Sequence, residues 1–263
     1  MDIDFSIVLP ALLAGLLVTA THVPLGMQVL RRGIVFIDIA IAQIAGVGVV
    51  AVGFFDSEAS GIAVQVSALG AALAGALFLT WTERRWSDIQ EGIIGTVFIL
   101  AASLQVLLLA GNPHAGEYLK DLLVGQILWV SYLQLAAVAA LTAVVLALWF
   151  GIGYQRLGRI GFYLLFGLSV TASVQVVGVY LVFATLIIPA LATRRAARFR
   201  IAKAYAVGAI GYLAGIIASM QSDLPTGALI VWTMAATGIA FAIAEPAHSA
   251  SSHVVLNESL MEK

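Results

Sequence analysis

Apolar residues dominate the chain in runs of membrane-crossing length, separated by short polar or glycine- and proline-bearing breaks. A spanning helix takes roughly 20 apolar residues, and such runs lie at 7–30, 33–54, 61–81, 92–111, 133–153, 203–220 and 226–244. One further run, 161–193, is too long. As a single helix it would reach roughly 50 Å, against a hydrocarbon core of about 30 Å. It contains SVQVVGVYLVF with Gly178 near its middle, so the pattern predicts two short, steep or partly re-entrant helices joined near that glycine. The expected fold class is an all-α polytopic membrane protein with about eight or nine transmembrane helices, the short helical hairpin included.

Charge supports the hairpin. Arg31 and Arg32 follow the first run, Arg84 and Arg85 the third, Arg156 and Arg159 the fifth, and Arg194, Arg195, Arg198, Arg200 and Lys203 follow the overlong one. Basic loops stay in the cytoplasm, and all four clusters share that side only if 161–193 goes across and back. Nine spans result, with the N-terminus outside and the C-terminus cytoplasmic. Of the 13 basic residues only Lys120 then faces outward, and FFDSEAS, GNPHAGEYLKD and MQSDLPTG become outer loops. The stretch 117–132, EYLKDLLVGQILWVSY, is too polar at its start for a span and reads as an interfacial or re-entrant helix, with Trp129 and Tyr132 as interface anchors.

Composition narrows the classes. The sequence is 62% hydrophobic and 10% charged, with a mean hydropathy of +1.04, far from soluble averages. Zero cysteines exclude disulfides and thiolate sites, four scattered histidines supply no standing metal cage, and a net charge of -1 gives no sign of nucleic-acid binding. No cleavable secretory signal opens the chain, so the first run is expected to be a retained span. The end, AEPAHSASSHVVLNESLMEK, is small and polar; its His248 and His253 read as solvated tail residues. A domain at 1–245 followed by a polar cytoplasmic tail at 246–263 is the expected organisation.

Phosphate-cradling GxxxxGK[ST], HExxH and GxSxG patterns are all missing, so the chain is not expected to be an enzyme or to hydrolyse ATP. Glycines in GAALAGALF (70–78) and AVGAIGYLAG (206–215) suit close helix packing. Intramembrane ionisable residues are costly and usually face a cavity or a partner, which singles out Asp38. It lies six residues past Arg32, roughly 9 Å along a helix, so it either draws a cation near an inner gate or is structural, pairing with an arginine or capping a neighbouring helix. Gln43 points about 140° away from it. Gln43, Gln65, Gln105 and Gln175 either hydrogen-bond between helices or line a polar path. In THVPLG, Pro24 is expected to kink or break the first helix and to leave His22 near freed carbonyls, as a path residue or a satisfied buried histidine. Pro189 is expected to end the hairpin's second arm.

Taken in order, several stretches resemble the zinc and manganese ABC importer permeases. VLRRGIVFIDIAIAQIAGVGVV (29–50) is similar to that family's second-helix motif, VVGVYLVFATLIIPALAT (176–193) to its glycine-to-proline run, and SDLPTGALIV (222–231) to the outer turn opening its last helix; EGIIGTVFILAASL and LLVGQILWVS correspond more weakly. The resemblance implies a type II ABC importer-like permease that works as a homodimer in the cell (inner) membrane. Its partners would be a cytoplasmic ABC ATPase, an extracytoplasmic substrate-binding protein and membrane lipid, with no nucleic acid. The cargo would be a divalent metal ion of the zinc or manganese class. No tightly bound cofactor is implied, ATP being used by the partner subunit.

The translocation path on this reading draws on Asp38, Gln43, His22, Gln105 and Gln175, with Asp38 the possible metal contact; ATPase coupling falls on Arg156, Gly158, Arg159 and Gly161 beside the 83–91 loop. Two features depart from the family pattern. Gln43 stands where many members carry a histidine, and only YQRLGRIGF separates the fifth span from the hairpin, where the family has an acidic, alanine-containing coupling helix. Two other readings stay open: a proton-coupled secondary transporter in which Asp38 titrates, and an ABC permease for a metal chelate or vitamin.

Overall fold

In hydrocarbon a backbone must satisfy its own polar groups, which leaves helices as the default for each apolar run. The computed structural model describes residues 5–55, 61–109, 123–222 and 224–244. Among them are nine α-helices: α1 (Phe5–Arg32), α2 (Ile37–Phe55), α3 (Gly61–Arg85), α4 (Gln90–Leu109), α5 (Tyr132–Gly151), α6 (Tyr154–Val177), α7 (Val179–Ala192), α8 (Arg200–Ser222) and α9 (Thr226–Ala244). Short 3₁₀ turns, Ser87–Ile89 and Ile127–Trp129, lead into α4 and α5. Seven of the helices are long and apolar enough to cross a membrane, while α2 and α7 are shorter apolar helices. The loops at 56–60 and 110–122, with Lys120 and the start of the expected interfacial segment, and the tail with His248 and His253 lie outside the described residues.

α1 is the axis of the bundle. It packs against α5, α6, α7 and α8, while α2 holds α3, α4 and α6, and α9 closes against α7 and α8. Lipid gives helices little hydrophobic reason to associate, so small residues and shape do that work. A Cβ at Gly15 would meet the Tyr212 ring, at Gly26 the Leu186 carbonyl, at Gly208 Thr19, at Gly211 Met234 and at Gly215 Ile230. Two of the three glycines in AVGAIGYLAG thus seat α9 and the third seats α1. Tyr163, Tyr212, Phe162 and Phe166 are the largest fully buried side chains.

The overlong run is two helices. α6 starts at the end of the bundle where Arg159 meets Glu83, and Gly178 breaks the path at the opposite end. α7 returns, so that Ala190 packs with Val23, Met27 and Ala204 near the basic end of α1. The two arms touch little beyond their bend, since α1 and α2 contact both. All four arginine-bearing segments therefore share one end of the molecule.

Three local expectations differ from the structure. α1 continues through Pro24 instead of breaking. Proline leaves the carbonyl four residues back without its helical donor, and Tyr205 Oη donates to that carbonyl, Ala20 O, at 3.0 Å. α7 likewise runs past Pro189 to Ala192. Finally, Arg32 and Asp38 do not share a helix: α1 stops at Arg32, the chain turns at Gly33, and Asp38 sits in the first turn of α2.

Candidate functional site

Between α2, α4, α7 and α9 lies an open groove of about 760 Å³. Its walls are apolar, with Ile39, Phe98, Phe183, Ile187, Val231 and Trp232 prominent, and the polar groups it presents are the Gln43 amide and the Tyr180 phenol. Gln43 is steadied from behind. Gln105 Nε2 donates to Gln43 Oε1 at 2.7 Å and to Gln43 O at 3.1 Å, and Gly46 leaves the space that the Gln105 amide fills. Gln105 is thus interhelical glue between α4 and α2, fully buried, whereas Gln43 both bonds and faces the groove.

Asp38 does not line that groove. It is 1% exposed, and among the described residues neither carboxylate oxygen has a hydrogen-bond partner. The arginine expected to pair with it is engaged elsewhere: Arg32 meets Glu83 at 3.5 Å and lies 4.3 Å over the Phe162 ring. A helix N-terminus favours a carboxylate, which is the one evident compensation for Asp38 at the start of α2.

His22 is 0% exposed on α1, on the Gly15–Thr19–His22–Gly26 stripe that turns toward α7 and α8. Nδ1 donates to Val18 O at 2.9 Å and lies 3.0 Å from Thr21 Oγ1. Nε2 has no partner. The histidine is therefore half satisfied, and the structure gives no contact between it and Asp38. Gln175 lies at the far end of α6, in a separate cleft with Gln65. The five sequence-selected path residues thus fall into one bonded pair and three separate places. No group of three or more His, Cys, Asp or Glu among the described residues could hold a metal ion.

The basic end carries a second constellation. Glu83 at the foot of α3 takes Arg32 from α1 and Arg159 from α6, the latter at 3.6 Å. Glu91 accepts from Phe36 N at 3.2 Å, tying α4 to the turn before α2. Gln90 Nε2 donates to Leu79 O at 3.0 Å. Before Arg159 the chain makes one turn of helix, from Tyr154, bounded by Gly153 (φ 81°) and Gly158 (φ 63°, ψ -165°). That second geometry belongs to a region essentially reserved for glycine. The segment that looked shortened in sequence is thus a single helical turn at the start of α6, set off from the rest of that helix by the break at Gly158, with Arg156 inside the turn and Arg159 and Gly161 beyond it. Glu83 and Glu91 escaped sequence reasoning because acidic residues beside arginine pairs read as ordinary loop charge.

Nine apolar helices among the described residues, seven of them long enough to cross a membrane, define a multi-pass membrane protein with an open groove between four of the helices. Residues 4–157 and 150–244 match the ABC 3 transport family, and the chain belongs to that family. It is 25% identical to the high-affinity zinc uptake system membrane protein ZnuB of Haemophilus influenzae, over 86% of this chain and 93% of that protein. Its fold is similar to that of PsaBC from Streptococcus pneumoniae, solved in complex with a Fab, with a TM-score of 0.74 and 20% identity over 92% of this chain and 93% of that one. It is also similar to a metal-chelate type ABC transporter in an inward-facing conformation, with a TM-score of 0.69 and 17% identity over 89% and 85% of the two chains. The family match does not support the proton-coupled secondary transporter.

Proposed function

We propose that this chain is the permease subunit of a binding-protein-dependent ABC importer for a divalent metal ion of the zinc or manganese class, placed in the inner membrane. The observation that carries the cargo reading is the Asp38 carboxylate, buried and without a cationic partner among the described residues. Intramembrane carboxylates mark ion routes by default, and Asp38 stands next in sequence to Ile39 on the groove wall, so its charge would act on a passing cation without touching it. Two copies facing one another across the α2–α4–α7–α9 groove would enclose a path between them, with Gln43 and Tyr180 on its wall. The glycine-bounded turn at Tyr154–Leu157 and the 83–91 loop are the surfaces offered to an ATPase, which binds and hydrolyses the ATP. The opposite end receives the substrate-binding protein. Transit through weak oxygen ligands in place of a thiolate or histidine cage suits an ion that must leave again.

The test is reconstitution with the ATPase and binding protein in vesicles, measuring ATP-dependent accumulation of zinc and manganese. Accumulation of either ion bare supports the assignment. Uptake of the metal only as a chelate would replace it with the chelate-permease reading.

Orientation has its own expected result. Ala197 is exposed on the loop between α7 and α8, and the sequence contains no cysteine. An Ala197→Cys protein in intact cells is expected to react with a membrane-permeant maleimide and to stay unlabelled by an impermeant one. Labelling from outside reverses the topology.

A further inference from the structure

A second cavity opens at the end of the bundle away from the arginines, and the transport reading leaves it unused. α3 and α5 each pack on α6. Between them runs a cleft in two adjoining parts of about 330 and 310 Å³, which share Gln65, Gln134, Gln175 and Val176. Its mouth carries four primary amides from four segments: Gln65 of α3, Gln126 of the α4–α5 connection, Gln134 of α5 and Gln175 of α6. Gln134 Oε1 is used in capping α5, accepting from Ser131 N and Oγ, both at 2.9 Å, which leaves its amide N–H groups to the cleft. Gln65 and Gln175 have no side-chain hydrogen bond to any described residue.

Deeper along the same cleft the lining changes character. Val138, Leu141 and Ala172 form its floor, and Leu141 lies roughly 10 Å along α5 from Gln134. No lining residue of either part carries a charge. Trp129 stands at the mouth, 76% exposed, as aromatic residues do at the headgroup level. The Gly125–Gly178 backbone contact separates this cleft from the large groove: Gly125 and Gln126 line one side, Leu123 and Val179 the other.

We propose that this cleft binds one phospholipid of the outer leaflet, its phosphate and ester oxygens held by the glutamine amides and one acyl chain laid along the α5–α6 floor. Water would satisfy the amides but leaves the apolar floor unexplained, and a protein loop docking from outside has no reason to reach so deep. An uncharged mouth selects a zwitterionic headgroup, in contrast to the arginine-rich end, where anionic lipid is favoured. The proposal rests on the chain's membrane placement and not on its cargo, so a failed uptake assay leaves it standing.

Delipidated protein is to be titrated with phosphatidylethanolamine and, separately, with phosphatidylglycerol of the same chains, and read by native mass spectrometry. Wild type is expected to take up one phosphatidylethanolamine per protomer saturably and to bind phosphatidylglycerol no more tightly. Gln65→Leu/Gln175→Leu, which removes the free amides from positions that tolerate leucine in lipid, is expected to bind at least about tenfold more weakly. Ala137→Trp, which fills the apolar part from an exposed position on α5, is expected to do the same while keeping every amide. Thermal stability measured without lipid reports whether each variant is folded. Absence of saturable phosphatidylethanolamine binding by wild type, tighter binding of phosphatidylglycerol, or unchanged binding by either folded variant would overturn the proposal.

Discussion

Replacing Gly178 with valine is expected to cut the yield of folded, monodisperse protein by more than about tenfold, measured by size-exclusion chromatography after mild detergent extraction. The residue has φ 80° and ψ 163°, where any side chain costs on the order of 1–3 kcal/mol. Space is the larger obstacle. A Cβ there would meet the backbone of Val124 and Gly125, and a Cβ on Gly125, itself at φ 72°, would meet the backbone of Val177 and Gly178. The two peptide segments lie against one another because both residues lack side chains, and this contact fixes where α6 ends, where α7 begins and how the lead-in to α5 is seated. Gly53→Ala is the control, since nothing lies within 4 Å of the Cβ it would add. Wild-type yield from Gly178→Val would mean that the bend can form without the close approach.

That bend shows what was legible in the sequence. The excess length of 161–193 over a membrane thickness, with a glycine near its middle, is a one-dimensional signal, and the α6–α7 break fell where it pointed. Helix existence was legible for the same reason, because lipid leaves few alternatives to a helix. Gln43 and Gln105 were identifiable as glue by type, but they are 62 positions apart and nothing local names one as the other's partner. The separation of Asp38 from Arg32 was hidden, since six residues look close until Gly33 turns the chain. Glu83 was hidden by the reverse effect, because two arginines from remote helices reach it only after folding. Gly125 showed no local signal at all: its need for a bare backbone arises from a segment more than fifty residues away.

Asp38→Asn is the second large effect. Uptake is expected to fall by at least about tenfold, the equivalent of about 1.4 kcal/mol of lost stabilisation of the moving cation, with the assembly intact and its thermal stability unchanged or raised. The sign on stability follows from the burial of the carboxylate, which has neither hydrogen-bond partner nor counter-ion among the described residues. Removing an unpaired buried charge relieves a cost, and asparagine keeps the size. A structural ion pair would show the opposite, with stability lost. Radioactive metal uptake in reconstituted vesicles, set beside the melting temperature of the same preparation, separates the two. Wild-type uptake by the folded variant would remove Asp38 from the path.

The shared Glu83 carboxylate makes the two ends of the bundle mechanically unequal. Where α6 turns into α7, the fit is backbone against backbone, which resists sliding as a hard wall does. At the opposite end α1, α3 and α6 are gathered by one acidic side chain between two arginines, the outer of them half-exposed. The Arg159 contact, half-exposed on the arginine side, belongs with the surface ion pairs that contribute about 0–1 kcal/mol, whereas Arg32 is mostly buried and is also held over the Phe162 ring. Of the contacts at that end, the one that salt can loosen is the outer one, so α6 is pinned by backbone at its bend and only tethered at its foot.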